Sequence, residues 1–145
     1  MAILKRTLAA AMLVAVQLPA LAAAVPVKLY KNPNCGCCDV YADHLKENGF
    51  AVQMINTNDM ATVKTKHGVP EHLEGCHTAT IGKYVFEGLI PANQIKKVLA
   101  EKMPIKGLSV PGMPVGAPGM PGNKKAPIHV YYLTPDSAPK IFASF

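Results

Sequence analysis

Beyond Arg6 the chain contains no arginine, and it contains no tryptophan at all. Its lysines are scattered, with short pairs only at Lys96-Lys97 and Lys124-Lys125. Nucleic-acid binding calls for a clustered basic stripe with interleaved aromatics, and none is present. The formal charge of +6 is therefore read as a solvated basic surface. The long apolar run, Thr7 to Leu18, is too short to span a bilayer once processing is considered. A second C-x-x-C knuckle is also lacking, and a single tetrahedral zinc would normally use one. Outside residues 35–38 the remaining cysteine is Cys76, followed by His77.

What is present begins with an export signal. Lys5 and Arg6 form a basic n-region, the apolar run follows, and "LAAA" at 21–24 supplies small residues at −3 and −1. A secretory signal peptide is expected over residues 1–24, with cleavage after Ala24 and, as second choice, after Ala22. The alternative is an uncleaved N-terminal anchor. Cleavage leaves one domain, residues 25–145, with no stable membrane insertion, and lowers the formal charge from +6 to +4.

Val25 to Tyr30 alternates as a strand. "KNPN" is turn chemistry, with Asn34 as the expected helix N-cap. A helix follows through "CDVYADHLKEN" and ends at Gly49 as the C′ residue. Phe50 to Ile55 reads as a strand, and Met60 to Lys66 as a short helix capped by "NTND". Thr78–Ile81 and Tyr84–Glu87 form a hairpin around Gly82-Lys83, and a helix starts near Pro91 with Ile95, Val98 and Leu99 as its buried stripe. The order β-α-β-α-β-β-α is that of a thioredoxin-like α/β fold. Residues 104–127 are rich in proline, glycine and methionine, with Pro-Gly-Met-Pro at 111–114 and again at 118–121. This segment is expected to contain neither regular helix nor central strand. A C-terminal β-hairpin, Ile128–Leu133 with Lys140–Phe145, then ties the loop down at its far end.

Three of the four cysteines fall in "NPNCGCCDV": Cys35, Cys37 and Cys38. Cys35 and Cys38 have the spacing of a redox dithiol, and Cys37 is extra. Thiols at a helix N-terminus ionise more readily, because unpaired N–H groups carry partial positive charge there. Thiolate serves both disulfide exchange and soft-metal binding. A bridge between Cys35 and Cys38 would close only a local turn and stabilise little. Adjacent residues such as Cys37 and Cys38 diverge, so they converge poorly on one ion and suit bridging of several. Soft thiolates favour Cu(I), and four thiolates balance four monovalent ions. Cys76-His77 stands where thioredoxin-like chains usually place a cis-proline, and so delivers a fourth sulfur and an imidazole to the cysteine turn.

His77 is thus a candidate ligand. His44 is a weaker one, because six residues after Cys38 it lies off that face of the helix; a partly buried helix histidine is the plain alternative. His67, His72 and His129 read as surface or turn residues. Met113 and Met120 carry soft thioethers, against the simpler role of pinning an irregular loop to the core.

Taken in order, "NPNCGCC", "GVPEHLEGCHTA", "EGLIPANQI" and "GLSVPGMPVGAPGM" resemble the CopG family of periplasmic copper-resistance proteins. The resemblance spans nearly the whole mature chain. It implies a thioredoxin-like fold holding a cysteine-bridged multinuclear copper cluster, beside copper efflux and oxidase systems in Gram-negative bacteria. It implies Cys35, Cys37, Cys38 and Cys76 as sulfur ligands, with His44 and His77 as accessory groups. Met113 and Met120 match the family's methionine loop. Family members often carry tryptophan where this chain has Tyr41.

The expected function is a periplasmic copper-binding protein for copper resistance, cycling copper between Cu(I) and Cu(II). Competing readings are a thiol–disulfide oxidoreductase using Cys35 and Cys38, a passive copper chaperone, and a structural zinc site. Copper-efflux or oxidase proteins are the partners the first reading would need.

Overall fold

The computed structural model describes residues 23–145. Apart from residues 23 and 24, the expected signal peptide lies outside them. The chain forms β1 (Val25–Lys31), α1 (Gly36–Glu47), β2 (Phe50–Asn56), α2 (Met60–Lys66), a 3-10 turn at Glu71–Leu73, β3 (His77–Ile81), β4 (Tyr84–Gly88), α3 (Ala92–Ala100), β5 (Gly107–Val110), β6 (His129–Tyr132) and β7 (Ile141–Ser144). It is a mixed α/β architecture, one sheet of seven strands in the order β2-β1-β3-β4-β5-β6-β7. β1 runs parallel to β2, and β4 to β5; the other neighbouring pairs are antiparallel.

The alternation of side chains along β4 explains the layers. Phe86 faces one core with Val27, Leu29 and Ala79 of the sheet, Tyr41 and Leu45 of α1, and Ile95 and Val98 of α3. Its neighbour Val85 faces the opposite side, against Val69, Leu73 and Leu133. Cover on both faces buries all five residues of β4, as expected of an internal strand. Helix α2 begins at Asp59, whose carboxylate accepts from Thr62 N at 3.0 Å, as the "NTND" signal implied. Gly49, at φ +88°, follows the C-cap of α1 in the left-handed conformation that glycine favours.

Two expectations need correction. Asn34 is not the N-cap of α1. Asn32 closes the turn instead, its side-chain oxygen accepting from Asn34 N at 3.0 Å and its carbonyl from Cys35 N at 3.0 Å, which makes Cys35 the N-cap. The Pro/Gly/Met-rich segment is also not wholly irregular. Gly107–Val110 is an internal strand, all four residues buried, between β4 and β6. Glycine is required at its start, because a Cβ at Gly107 would lie 1.6 Å from Val85 O. After Val110 the chain is irregular, then returns through the expected terminal hairpin.

Candidate metal centre

The pairing of β1 with β3 builds the site. Lys31, the last residue of β1, pairs with His77, the first of β3. The turn leaving β1 and the residue entering β3 are therefore neighbours. That turn carries Cys35 as N-cap and Cys37 and Cys38 in the first turn of α1, and Cys76 immediately precedes β3.

The four cysteine sulfurs all lie within 4.8 Å of one another. Cys35 and Cys38 are joined by a disulfide, and Cys37 and Cys76 are free thiols. Cys37 is the hub: its Sγ is 3.4 Å from Cys35 Sγ, 3.7 Å from Cys76 Sγ and 3.9 Å from Met113 Sδ. The spacing of the free pair suits a soft ion or a sulfur bridge.

His77 is fully buried, with Nδ1 3.3 Å from Cys76 Sγ. Among the described residues its Nε2 meets no hydrogen-bond partner, and Tyr41 stacks on the ring at 4.5 Å between centroids. Burial, helped by the charge of Lys64, pulls its pKa down to about 3, so the ring is neutral and keeps a lone pair. Burial, and then the Cys37 thiol, push Cys76 up to about 12. The Cys76 thiol therefore holds its proton firmly, and a metal ion bound there would have to displace it.

His44 is not brought to the sulfurs. Its Nε2 accepts from Ala92 N at 3.3 Å, at the first residue of α3, and Tyr41 stands beside it at 6.0 Å between ring centroids. Met120 is half-buried against the core, on a groove it shares with Gly36, Cys37 and Val40. The structure thus gathers Cys35, Cys37, Cys38, Cys76, His77 and Met113, places Met120 at the rim, and holds His44 apart. Of the remaining histidines, His72 Nε2 meets Asp136 O at 2.8 Å and His129 Nδ1 meets Ser144 Oγ at 2.7 Å, both in exposed settings.

Sequence reasoning missed Lys31. Its ammonium is buried, pairs with Asp39 Oδ1 at 2.9 Å, and donates to the carbonyls of Asn32 at 3.2 Å and Pro33 at 3.3 Å. It braces the cysteine turn from below. The signal was available: alternation from Val27 and Leu29 puts Lys31 on the core face.

Two solved structures match the chain, each described as copper resistance protein CopG, in a Form 1 and a Form 2. Each is 37% identical, with a TM-score of 0.76, over 84% of this chain and 98% of the other. The chain belongs to the CopG family. A family model described as a protein of unknown function, DUF411, also matches residues 73–120, the stretch that holds Cys76, His77, Met113 and Met120. No curated protein matches. Among the described residues, no helix of this CopG-family chain is long and apolar enough to cross a membrane.

Proposed function

We propose that this CopG-family chain is a periplasmic copper-binding protein for copper resistance, holding Cu(I) in a cysteine-bridged multinuclear cluster. The observation that carries the reading is the convergence of four cysteine sulfurs within 4.8 Å, with the Met113 thioether beside Cys37. Thiolate and thioether are the ligands Cu(I) favours. Adjacent Cys37 and Cys38 suit bridging of neighbouring ions. The neutral His77 ring supplies a nitrogen at the edge of the group, and Met120 a second thioether at its rim. Such a cluster would cycle between Cu(I) and Cu(II) by giving electrons to an external acceptor, dioxygen or an oxidase partner, and taking them back from an external donor, and would keep bound copper from the periplasm until efflux. The relatives' name, copper resistance protein, supports the metal assignment.

A thioredoxin-like core is part of the proposal. It is supported by β1-α1-β2 joined to β3-β4-α3 in the strand order β2-β1-β3-β4. Strands β5 to β7 extend that sheet beyond β4, and the segment between β5 and β6 carries both methionines. Export through a signal peptide over residues 1–24 fits the family's copper-resistance role.

X-ray absorption on copper-loaded protein tests the cluster. Sulfur-dominated coordination with a copper–copper scattering shell is expected. A single sulfur shell without copper neighbours would sink the multinuclear reading.

The Cys35–Cys38 disulfide favours a second reading, thiol–disulfide exchange at this pair. Reduction takes two electrons and two protons, from an external dithiol, and yields two thiols; the external dithiol leaves as a disulfide. In that reading Cys37→Ser and Cys76→Ser keep disulfide-reductase activity. In the cluster reading both lower copper content. Reduction of the same disulfide also precedes full copper loading, because only thiolates ligate. A passive copper chaperone would share these ligands and show no oxygen consumption when loaded.

A further inference from the structure

Behind Cys76 lies a pair of charges that the cluster itself does not use. Glu87 of β4 is fully buried, and the Lys64 side chain of α2 is 7% exposed. They form an ion pair on the sheet face opposite Tyr41 and Phe86. Neither charge is isolated from the backbone. Lys64 Nζ donates to Gly75 O at 3.0 Å, and Gly75 N donates to Glu87 Oε1 at 2.8 Å. Thr78, directly across the strand pair from Glu87, donates from Oγ1 to Glu87 Oε2 at 2.6 Å. Both hydrogen-bonding groups of Gly75 and the hydroxyl of Thr78 are thereby fixed. These residues flank Cys76-His77 on either side.

Buried ion pairs are poor sources of net stability, since desolvation offsets the attraction and apolar replacements often do as well. What such a pair supplies is geometry, through hydrogen bonds that only one arrangement satisfies. Here the geometry is that of Cys76. Where the fold would otherwise stiffen the entry to β3 with proline, this chain has a cysteine that must present its sulfur to Cys37. The same connection is tied to β5 and the methionine segment: Ser109 Oγ donates to Leu73 O, and Gly112 N to Glu74 O at 2.8 Å, one residue before Met113.

We propose that Lys64 and Glu87 are positioning residues that clamp Gly75 and Thr78 and so hold the Cys76 sulfur against Cys37. The proposal rests on the sulfur-site reading above, and adds the device that sets its Cys37–Cys76 contact. Neither residue touches metal. Their removal changes where Cys76 points, not how many sulfurs the chain has.

The test uses the full mature chain with the Cys35–Cys38 disulfide intact, as wild type, Lys64→Met, Glu87→Gln and Lys64→Met/Glu87→Gln. The double variant removes both charges, while the amide oxygen of the introduced glutamine still accepts from Gly75 N. Dibromobimane joins two thiols only when they are close, so the fraction of Cys37 and Cys76 joined to each other, read at completion by mass spectrometry, reports their separation. Reading the end point removes any effect of altered thiol reactivity. Displacement by about 1 Å can cost up to a hundredfold in such proximity-dependent steps, so a fall of about tenfold in joined product is expected in each folded variant. The double variant is expected to melt higher than Lys64→Met, because no lone charge is left buried, yet to stay low in joined product. Copper-loaded variants should show a shifted thiolate-to-copper absorption spectrum. Wild-type yield of joined product in any variant with wild-type far-UV circular dichroism overturns the proposal. So does recovery of cross-linking in the double variant in parallel with its melting temperature, which would make the pair a stability feature only. If wild type takes up no copper, the copper reading fails while the cross-linking result still decides the positioning role.

Discussion

Gly119→Ala is expected to lift the methionine segment off the cysteine helix. Gly119 adopts φ +94° and lies over the first turn of α1. A Cβ there would sit 2.7 Å from Cys37 O, 3.1 Å from Tyr41 Cβ and 3.2 Å from Tyr41 N, mostly rigid backbone. The left-handed conformation alone costs an alanine about 1–2 kcal/mol. Crowding against a packed backbone adds about 1–3 kcal/mol. The total, about 2–5 kcal/mol, corresponds to a melting shift of roughly 8–20 °C for a domain of this size. The chain can avoid part of that penalty by releasing the segment locally. Lys124 and Lys125 are already exposed, and release would free the backbone around them to enter a protease cleft, so trypsin cleavage there should accelerate. Calorimetry and limited trypsin digestion, run together, check both routes. An unchanged melting temperature with an unchanged cleavage rate refutes the seating of this segment on α1.

Other outcomes follow from the same geometry. His77 is held near pKa 3 by burial and by Lys64, against an ordinary value of 6.5. Between those values the unfolded ring takes up a proton that the folded ring refuses, so stability falls as pH drops through this window. His77→Phe should flatten that slope in urea titrations made with a chelator present; an unchanged slope contradicts the assignment. Lys31→Met leaves the Asn32 and Pro33 carbonyls without their donor and should cost about 1–3 kcal/mol in denaturant unfolding, with less than about 0.5 kcal/mol counting against the brace. Met113→Leu keeps the segment's bulk and removes its sulfur. It should weaken Cu(I) retention against a competing chelator without changing the maximum copper bound, and equal retention would remove Met113 from the ligand set.

The core of the fold was legible because its periodicities are clean. Met60–Lys66 and the hairpin around Gly82-Lys83 appear where the sequence places them. Strand β5 was hidden by its neighbours: Pro104 and Pro111 bracket Gly-Leu-Ser-Val, and the need for glycine at 107 comes from a strand far upstream. The cysteine group was legible from spacing together with the expected approach of β3 to the end of β1. Lys64 and Glu87 were not. Charged residues read as surface until the tertiary fold places α2 over β4, and their partners are backbone atoms of Gly75 that carry no mark in the sequence. His44 illustrates the converse: helical spacing already set it off the cysteine face and only the family resemblance offered it as an accessory group, and the N–H of Ala92 at the start of α3 takes its lone pair.

The central claim is that the cysteines act as one multinuclear copper site. It is tested most directly by anaerobic Cu(I) titration of the reduced chain and of the Cys35, Cys37, Cys38 and Cys76 serine variants, followed by thiolate-to-copper absorption. More than one copper per wild-type chain is expected, with a lower ratio in every variant, Cys37→Ser included. A ratio of one or less in wild type, unaffected by Cys37→Ser, would contradict it.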